Sequence, residues 1–247
     1  LTVGSDVNPL HTDNFEEVSF GPILYGAKKL GMHIHTRYEV SNNAGQDICD
    51  IVNNEGFDFL LVGSGISMSD SPDDIAATRY RTSFYNRYFK RFKAPESWFY
   101  PGALLKDKTK MFIARSNCDV GVFINRNFVK ATNTLVVISS EEDLFLLDYT
   151  RTLLKATHGS VGIVAKMSTT TPGHDQILKE LWDFVSSTPQ TQLLPDKDLT
   201  PGLFNSYNFM LIGYNTWNDV SEHRKEALQK MPSTLILNKN KRSSSDN

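Results

Sequence analysis

Two stretches decide the fold: Phe57-Asp58-Phe59-Leu60-Leu61-Val62-Gly63 and Tyr207-Asn208-Phe209-Met210-Leu211-Ile212-Gly213. Each is a short apolar run closed by glycine, the form taken by a strand buried on both faces of a parallel sheet. They match in residue type at nearly every position. A later pair repeats the correspondence, with Asn117-Cys118-Asp119-Val120-Gly121-Val122-Phe123-Ile124-Asn125-Arg126 set against Met231-Pro232-Ser233-Thr234-Leu235-Ile236-Leu237-Asn238-Lys239. The chain thus reads as an internal duplication of one strand-and-helix unit, joined near residues 127–133.

Working outward, amphipathic stretches alternate with these apolar ones. In the first half a helix over 15–30 closes at Gly31, and a strand over 32–40 puts His33, His35 and Arg37 on one face. A helix capped by Ser41 or Asn42 runs to Asn53 and ends at Gly56. Beyond the 57–63 strand come a helix over 72–92, a loop bearing Pro95 and Pro101, a short helix over 106–115 and a strand over 120–124. The second half reads as a strand at 135–139, a helix over 141–155 stopped by Gly159, and a strand at 161–166. A helix opened by Thr171-Pro172 and a loop rich in Pro, Thr and Asp follow. The strand at 207–213, a helix over 219–230 and a strand at 233–237 complete it. Such alternation predicts an α/β fold with mainly parallel sheets. The expected organisation is a first domain over 1–130 with a helical insertion at 70–115, a second over 131–239, and a disordered polar tail at 240–247.

Composition narrows the function classes. Of 247 residues 40% are apolar, enough for a real core and incompatible with disorder over most of the length. Twenty-six basic against 28 acidic residues, a net charge of -2, lack the electrostatic footprint of a nucleic-acid binder, so no nucleic-acid partner is expected. The longest uninterrupted apolar run is four residues, as at Phe59 to Val62, whereas a membrane span needs about 20, and the expectation is a soluble chain. Two cysteines, Cys49 and Cys118, are too few for a disulfide scaffold and point to a reducing compartment. A start at Leu1, with no methionine or secretory-type segment, suggests a fragment of something longer.

A glycine-ended strand, a helix and a small-residue turn into a Val-Gly-rich strand resemble the close of a universal-stress-protein domain. More specifically, Cys118 to Arg126 is similar to the Cys-Ser-Val-Gly-Ile-Leu-Val-Asp-Arg segment in the cytoplasmic tails of eukaryotic monovalent cation/proton antiporters, and the whole chain to fungal potassium/proton antiporters of the Kha type. The resemblance implies two tandem universal-stress-protein-like, Rossmann-like domains. It further implies a cytosolic regulatory role, without catalysis, attached to a potassium or sodium/proton antiporter of a Golgi or endosomal membrane. The partners implied are the transporter's own transmembrane domain and a second copy in a homodimer. Stress-protein domains pair through their last strands, so the edge Val120, Val122 and Ile124, with 233–237, is the expected dimer contact. The alternative is a stand-alone stress-type protein that binds adenine nucleotide.

Ligands of parallel α/β sheets sit at the carboxyl ends of the strands. A phosphate would therefore be sought at Gly63, Ser64 and Gly65, where backbone amides and a hydroxyl could cradle it. Nucleotide-holding stress proteins resemble one another in a Gly-x-x-Gly, nine-residue spacer, Gly-Ser/Thr pattern. Here the second glycine of that pattern is missing, and a dinucleotide fingerprint fails because its third glycine falls at Met68. The plain reading is a tight turn leaving a strand, with no cofactor. Asp70, Asp73 and Asp74 suit a divalent cation, but Ser71-Pro72-Asp73-Asp74 also describes a helix start. Arg79, Arg81, Arg87, Lys90, Arg91 and Lys93 stand among six aromatics without an acid. They read as a solvated helix face, or as a surface facing anionic lipid or the transporter. His33 and His35 lack the further ligands of a metal site. No nucleophile elbow, Cys/His pair, zinc-protease or P-loop motif is present, and no catalytic residue is assigned.

Overall fold

The computed structural model describes residues 12–37, 41, 43–63, 106–167, 172–195, 198–223 and 230–240. In the first half, α1 (Thr12–Lys29) and α2 (Ala44–Glu55) precede β1 (Phe59–Gly63), and α3 (Lys106–Arg115) leads into β2 (Asp119–Ile124). The second half runs β3 (Asn133–Ile138), α4 (Leu146–Thr157), β4 (Ser160–Ala165), α5 (His174–Ser187) and β5 (Thr191–Pro195). It continues through α6 (Pro201–Phe204), β6 (Phe209–Gly213), α7 (Tyr214–His223) and β7 (Ser233–Asn238). Among the described residues, seven strands form one sheet in the order β1-β2-β7-β6-β3-β4-β5. Every neighbouring pair is parallel except β2 and β7. The mainly parallel α/β architecture is as expected from the alternation, but the two expected sheets are continuous across that one antiparallel junction.

The duplication is written into the register. Phe59 pairs with Asp119 and Gly63 with Phe123, while Phe209 pairs with Ser233 and Gly213 with Leu237. Sequence alignment makes those residues equivalents, so both copies use the same offset. Across the junction Val120 pairs with Asn238, Val122 with Ile236 and Ile124 with Thr234. Exchanging each residue for its equivalent in the other copy returns the same set of pairs. The ladder is therefore two-fold symmetric about Val122 and Ile236. Residue types differ at several equivalent positions, and one difference has a steric reason: Gly121 stands where the other copy has Leu235. A Cβ on Gly121 would lie 2.6 Å from the Phe59 ring and 3.2 Å from Leu235.

Burial follows the pleat. On one face Val122, Ile124, Leu135, Val137, Met210, Ile212 and Ile236 pack with Trp217 and Val220 of α7 and with Phe204 of α6. On the other, Val136, Ile138, Phe209, Leu211 and Leu237 meet α4 and α5 through Leu146, Leu154, Ile177 and Leu181. The first half keeps a smaller cluster of Cys49, Phe112 and Val120, with Leu60 and Val62 partly buried against it. Asn43 caps α2 by accepting from Gln46 N at 3.2 Å, one residue beyond the expected cap, and Gly56 closes the helix in the left-handed conformation at φ 68°.

Several expected elements differ. Residues 32–37 form no strand, since among the described residues no ladder partner pairs with them, and 38–40 of the expected strand lie outside the described residues. The helix after β3 starts as a 3-10 turn over Glu141–Asp143, and its left-handed cap is His158, φ 52°, rather than Gly159. Gly159 serves another purpose, since a Cβ there would meet the Thr132 carbonyl oxygen at 2.4 Å. Strand β5 and helix α6 occupy what read as a loop, because Thr191-Gln192-Leu193-Leu194-Pro195 gains strand form only by pairing with β4. Helix α7 begins directly after β6, five residues before its expected start. Asn240, expected in a disordered tail, donates to Asp119 Oδ1 at 2.7 Å and to the Ser116 carbonyl at 2.9 Å. Among the described residues no helix is long and apolar enough to cross a membrane.

Ile236 is 1% exposed at the centre of the junction. Ile236→Ala should lower the unfolding free energy by about 2–5 kcal/mol, measured by urea titration with circular dichroism. A loss below about 0.5 kcal/mol, the size of an ordinary surface change, would show that the junction does not hold the halves together.

Candidate functional site

The sheet's connections turn in opposite directions from β3 and β6, so the crevice at the carboxyl ends of these two strands is the natural ligand position. Ser139 and Ser140 leave β3 there, and Gly213 closes β6. Between them lies Asp143, a carboxylate only 2% exposed. Its Oδ2 accepts from the Ser139 amide at 2.9 Å, the Ser140 amide at 3.3 Å and the Thr216 hydroxyl at 2.6 Å. Ser139 Oγ donates to the same oxygen at 3.2 Å and also bonds the Thr216 hydroxyl. The other carboxylate oxygen lies 1.9 Å from where a Cβ on Gly213 would stand, so glycine is required for the carboxylate to lie there. Asn215 adds a bond to Glu142 Oε2 at 2.7 Å.

Two backbone amides and two hydroxyls converging on one oxygen form an anion cradle, and the anion in it belongs to the chain itself. Helix α7 starts at the next residue after Gly213, leaving no glycine loop in which a phosphate could lie against backbone. Nearby, Lys166 Nζ is paired with Asp219 at 3.1 Å. At the equivalent point of the first half, a Cβ on Gly63 would meet no described residue within 4 Å.

Of the residues expected to hold a nucleotide, Gly63 is at the end of β1, while Ser64 and Gly65 lie outside the described residues. So do Asp70, Asp73 and Asp74, and the basic run Arg79, Arg81, Arg87, Lys90, Arg91 and Lys93. His33 and His35 are exposed in the 32–37 segment, which is not a strand, and share no strand face. Among the described residues no group of three or more His, Cys, Asp or Glu is placed to hold a metal ion.

The expected dimer edge requires correction. Val120, Val122 and Ile124 are 1%, 2% and 6% exposed, and β2 is flanked by β1 on one side and β7 on the other. The last strands of the two copies do pair, but within one chain, which leaves neither strand an edge for a second molecule.

Asp143 itself was legible only in part. Ser140-Glu141-Glu142-Asp143 has the spacing of a capping box, and Ser140 and Asp143 form one. Nothing in the sequence indicates that Thr216 closes on it from the far side of β6.

Two further features lie away from the crevice. A cavity of about 520 Å³ between α4 and α5 is lined by Leu147, Asp148, Arg151, Glu180, Phe184 and Lys239, among others. Its charges are mixed, with Arg151 2.9 Å from Asp148 and 4.9 Å above the Phe184 ring. At the start of β2, Tyr149 donates to Asp119 Oδ2 at 2.8 Å. Burial, then this bond and the Asp119 charge, pushes the Tyr149 phenol above its ordinary range. Cys49 and Cys118 are buried free thiols, each pushed up chiefly by burial, which keeps them protonated and unreactive.

With this geometry in place, comparison with solved structures is decisive for the fold. A universal stress protein from Archaeoglobus fulgidus DSM 4304 superposes with a TM-score of 0.50 at 10% identity, over 97% of this chain and 84% of that one. The fold is that of the universal stress proteins. A putative universal stress protein from Pseudomonas aeruginosa UCBPP-PA14 gives 0.52 at 10% identity, over 96% and 81% of the two chains. A functionally unknown Pseudomonas aeruginosa PAO1 protein, PA1789, gives 0.53 at 10% identity, over 96% and 80%. No protein-family model matches the chain, and no curated protein does.

Asp143→Ala should cost about 1–3 kcal/mol by leaving the cradle's donors unpaired, and Gly213→Ala should be destabilising through its clash with the carboxylate. Combined, they should cost less than the sum of the two, because the clash needs the carboxylate. Additive losses in urea titrations would contradict the contact. For Tyr149, a folded pKa above the unfolded value of 10.0 means its contribution is complete below pH 10 and fades as pH rises beyond it. Stability between pH 9 and 11 should therefore fall less steeply in Tyr149→Phe than in the parent chain.

Proposed function

We propose that this chain is a non-catalytic regulatory module of universal-stress-protein fold, acting as the cytosolic regulatory part of a potassium or sodium/proton antiporter. The observation that carries the non-catalytic part of the reading is the Asp143 carboxylate in the β3/β6 crevice. A site whose donors are spent on an internal anion is a structural joint rather than a place for a substrate phosphate. The antiporter assignment is supported by the likeness of Cys118 to Arg126, which forms β2 and the turn after it, to the tails of that transporter family.

The mechanism proposed is mechanical. A change in how the two copies pack across β2 and β7 alters the surface offered to an attached membrane domain, and so shifts its conformational equilibrium. A homodimeric arrangement and an anionic membrane surface remain part of the proposal, contributed by surfaces other than β2.

A second reading is a stand-alone adenine-nucleotide-binding stress-type protein, supported by Gly63 at the carboxyl end of β1, whose Cβ position meets no described residue within 4 Å. Titration calorimetry with ATP and AMP separates the two. The regulatory reading expects no heat of binding up to millimolar nucleotide, whereas micromolar binding would favour the second. Deleting this module from the transporter should alter transport or its pH response; unchanged transport would remove the antiporter assignment.

A further inference from the structure

More donors meet at Asp143 than its turn needs. A capping box asks the carboxylate to accept only from the backbone of Ser140. Here Asp143 Oδ2 also takes the Ser139 amide at 2.9 Å, the Thr216 hydroxyl at 2.6 Å and the Ser139 hydroxyl at 3.2 Å. These surplus donors are fixed by elements outside the turn. Ser139 follows directly on β3, whose last residue, Ile138, pairs with Ala165 of β4. Thr216 is 2% exposed in the first turn of α7, and the next residue, Trp217, is buried in the core. Against the other carboxylate oxygen stands Gly213, with no Cβ to take its place.

We infer that this cradle is a preformed seat for a small carboxylate, and that Asp143 fills it as an internal competitor, an autoinhibitory contact. The inference rests on the reading of Asp143 as the crevice's own anion. The geometry sets the ligand class: donors converge on one oxygen, the gap at Gly213 takes the other, and the group between them is planar. Tetrahedral phosphate, with its two further oxygens, exceeds the space that a withdrawn carboxylate leaves. A tethered carboxylate acts at an effective concentration that a free one in solution does not match, so the parent chain stays closed. Without the side chain, two amides and two hydroxyls remain oriented but unpaired, and buried unpaired donors favour the entry of a free anion.

Asp143→Gly in the full chain removes the competitor and leaves room for formate. Its melting temperature in about 0.1 M sodium formate should exceed that in the same concentration of sodium chloride by roughly 3 °C or more. The parent chain and Asp143→Asn, whose cradles are filled, should melt within about 1 °C in the two salts. Adding Thr216→Val to Asp143→Gly should abolish the formate effect. If Asp143→Gly is unfolded in chloride, recovery of its native circular dichroism in formate supports the seat. If it is unfolded in both salts, Asp143→Ala, whose turn keeps a better helix former, is compared in the same way. Nucleotide binding to the parent chain counts against the regulatory reading and not against the seat, so the two fail separately. The inference is overturned if formate stabilises neither variant, if it stabilises the parent chain or Asp143→Asn equally, or if the gain survives Thr216→Val.

Discussion

The antiparallel pairing of β2 with β7 is the constraint on which the rest of the structure depends. A parallel sheet built from one strand-and-helix unit ends in a strand with a bare edge, and an apolar bare edge is unstable in water. Two copies in one chain resolve this by turning their last strands toward each other. Since β2 and β7 each already have a parallel neighbour, the pairing makes both interior and merges two small cores across a common ladder. Val122 and Ile236, at the two-fold centre, are buried in the same cluster as Trp217 and Ile212. The junction is therefore as much core as seam.

The copies have diverged where a ligand would bind. In the second, Asp143 caps its own turn and also takes up the donors at the carboxyl ends of β3 and β6. One side chain thus closes the turn, forbids a side chain at Gly213 and ties down the start of α7 through Thr216. A buried carboxylate is tolerated because its oxygen is met by two amides and two hydroxyls. In the first copy, among the described residues, Gly63 has no such neighbour and β1 pairs with β2.

Much of this was legible in the residues. Both glycine-ended apolar runs are the strands they read as, but the burial expected of both holds only for β6; no residue of β1 is fully buried, because burial depends on the neighbours a strand meets. The sequence correspondence of the two copies is matched by a shared register in the structure, Phe59 with Asp119 and Phe209 with Ser233. The failures have one cause. Residues 32–37 alternate as a strand should but find no ladder among the described residues; Thr191 to Pro195 scarcely alternates and is a strand because β4 offers one. The misplaced start of α7 and the choice of His158 over Gly159 as a cap likewise reflect neighbours distant in sequence.

The sequence by itself determined the α/β class, the duplication and the lack of a phosphate-binding glycine pattern, because periodicity and glycine placement are local properties of the chain. Only the tertiary structure decided that the two last strands pair in cis, and that Asp143 takes up donors in the β3/β6 crevice. Both depend on which distant groups arrive at hydrogen-bonding distance, and a backbone amide carries no mark in the sequence of which acceptor it will meet.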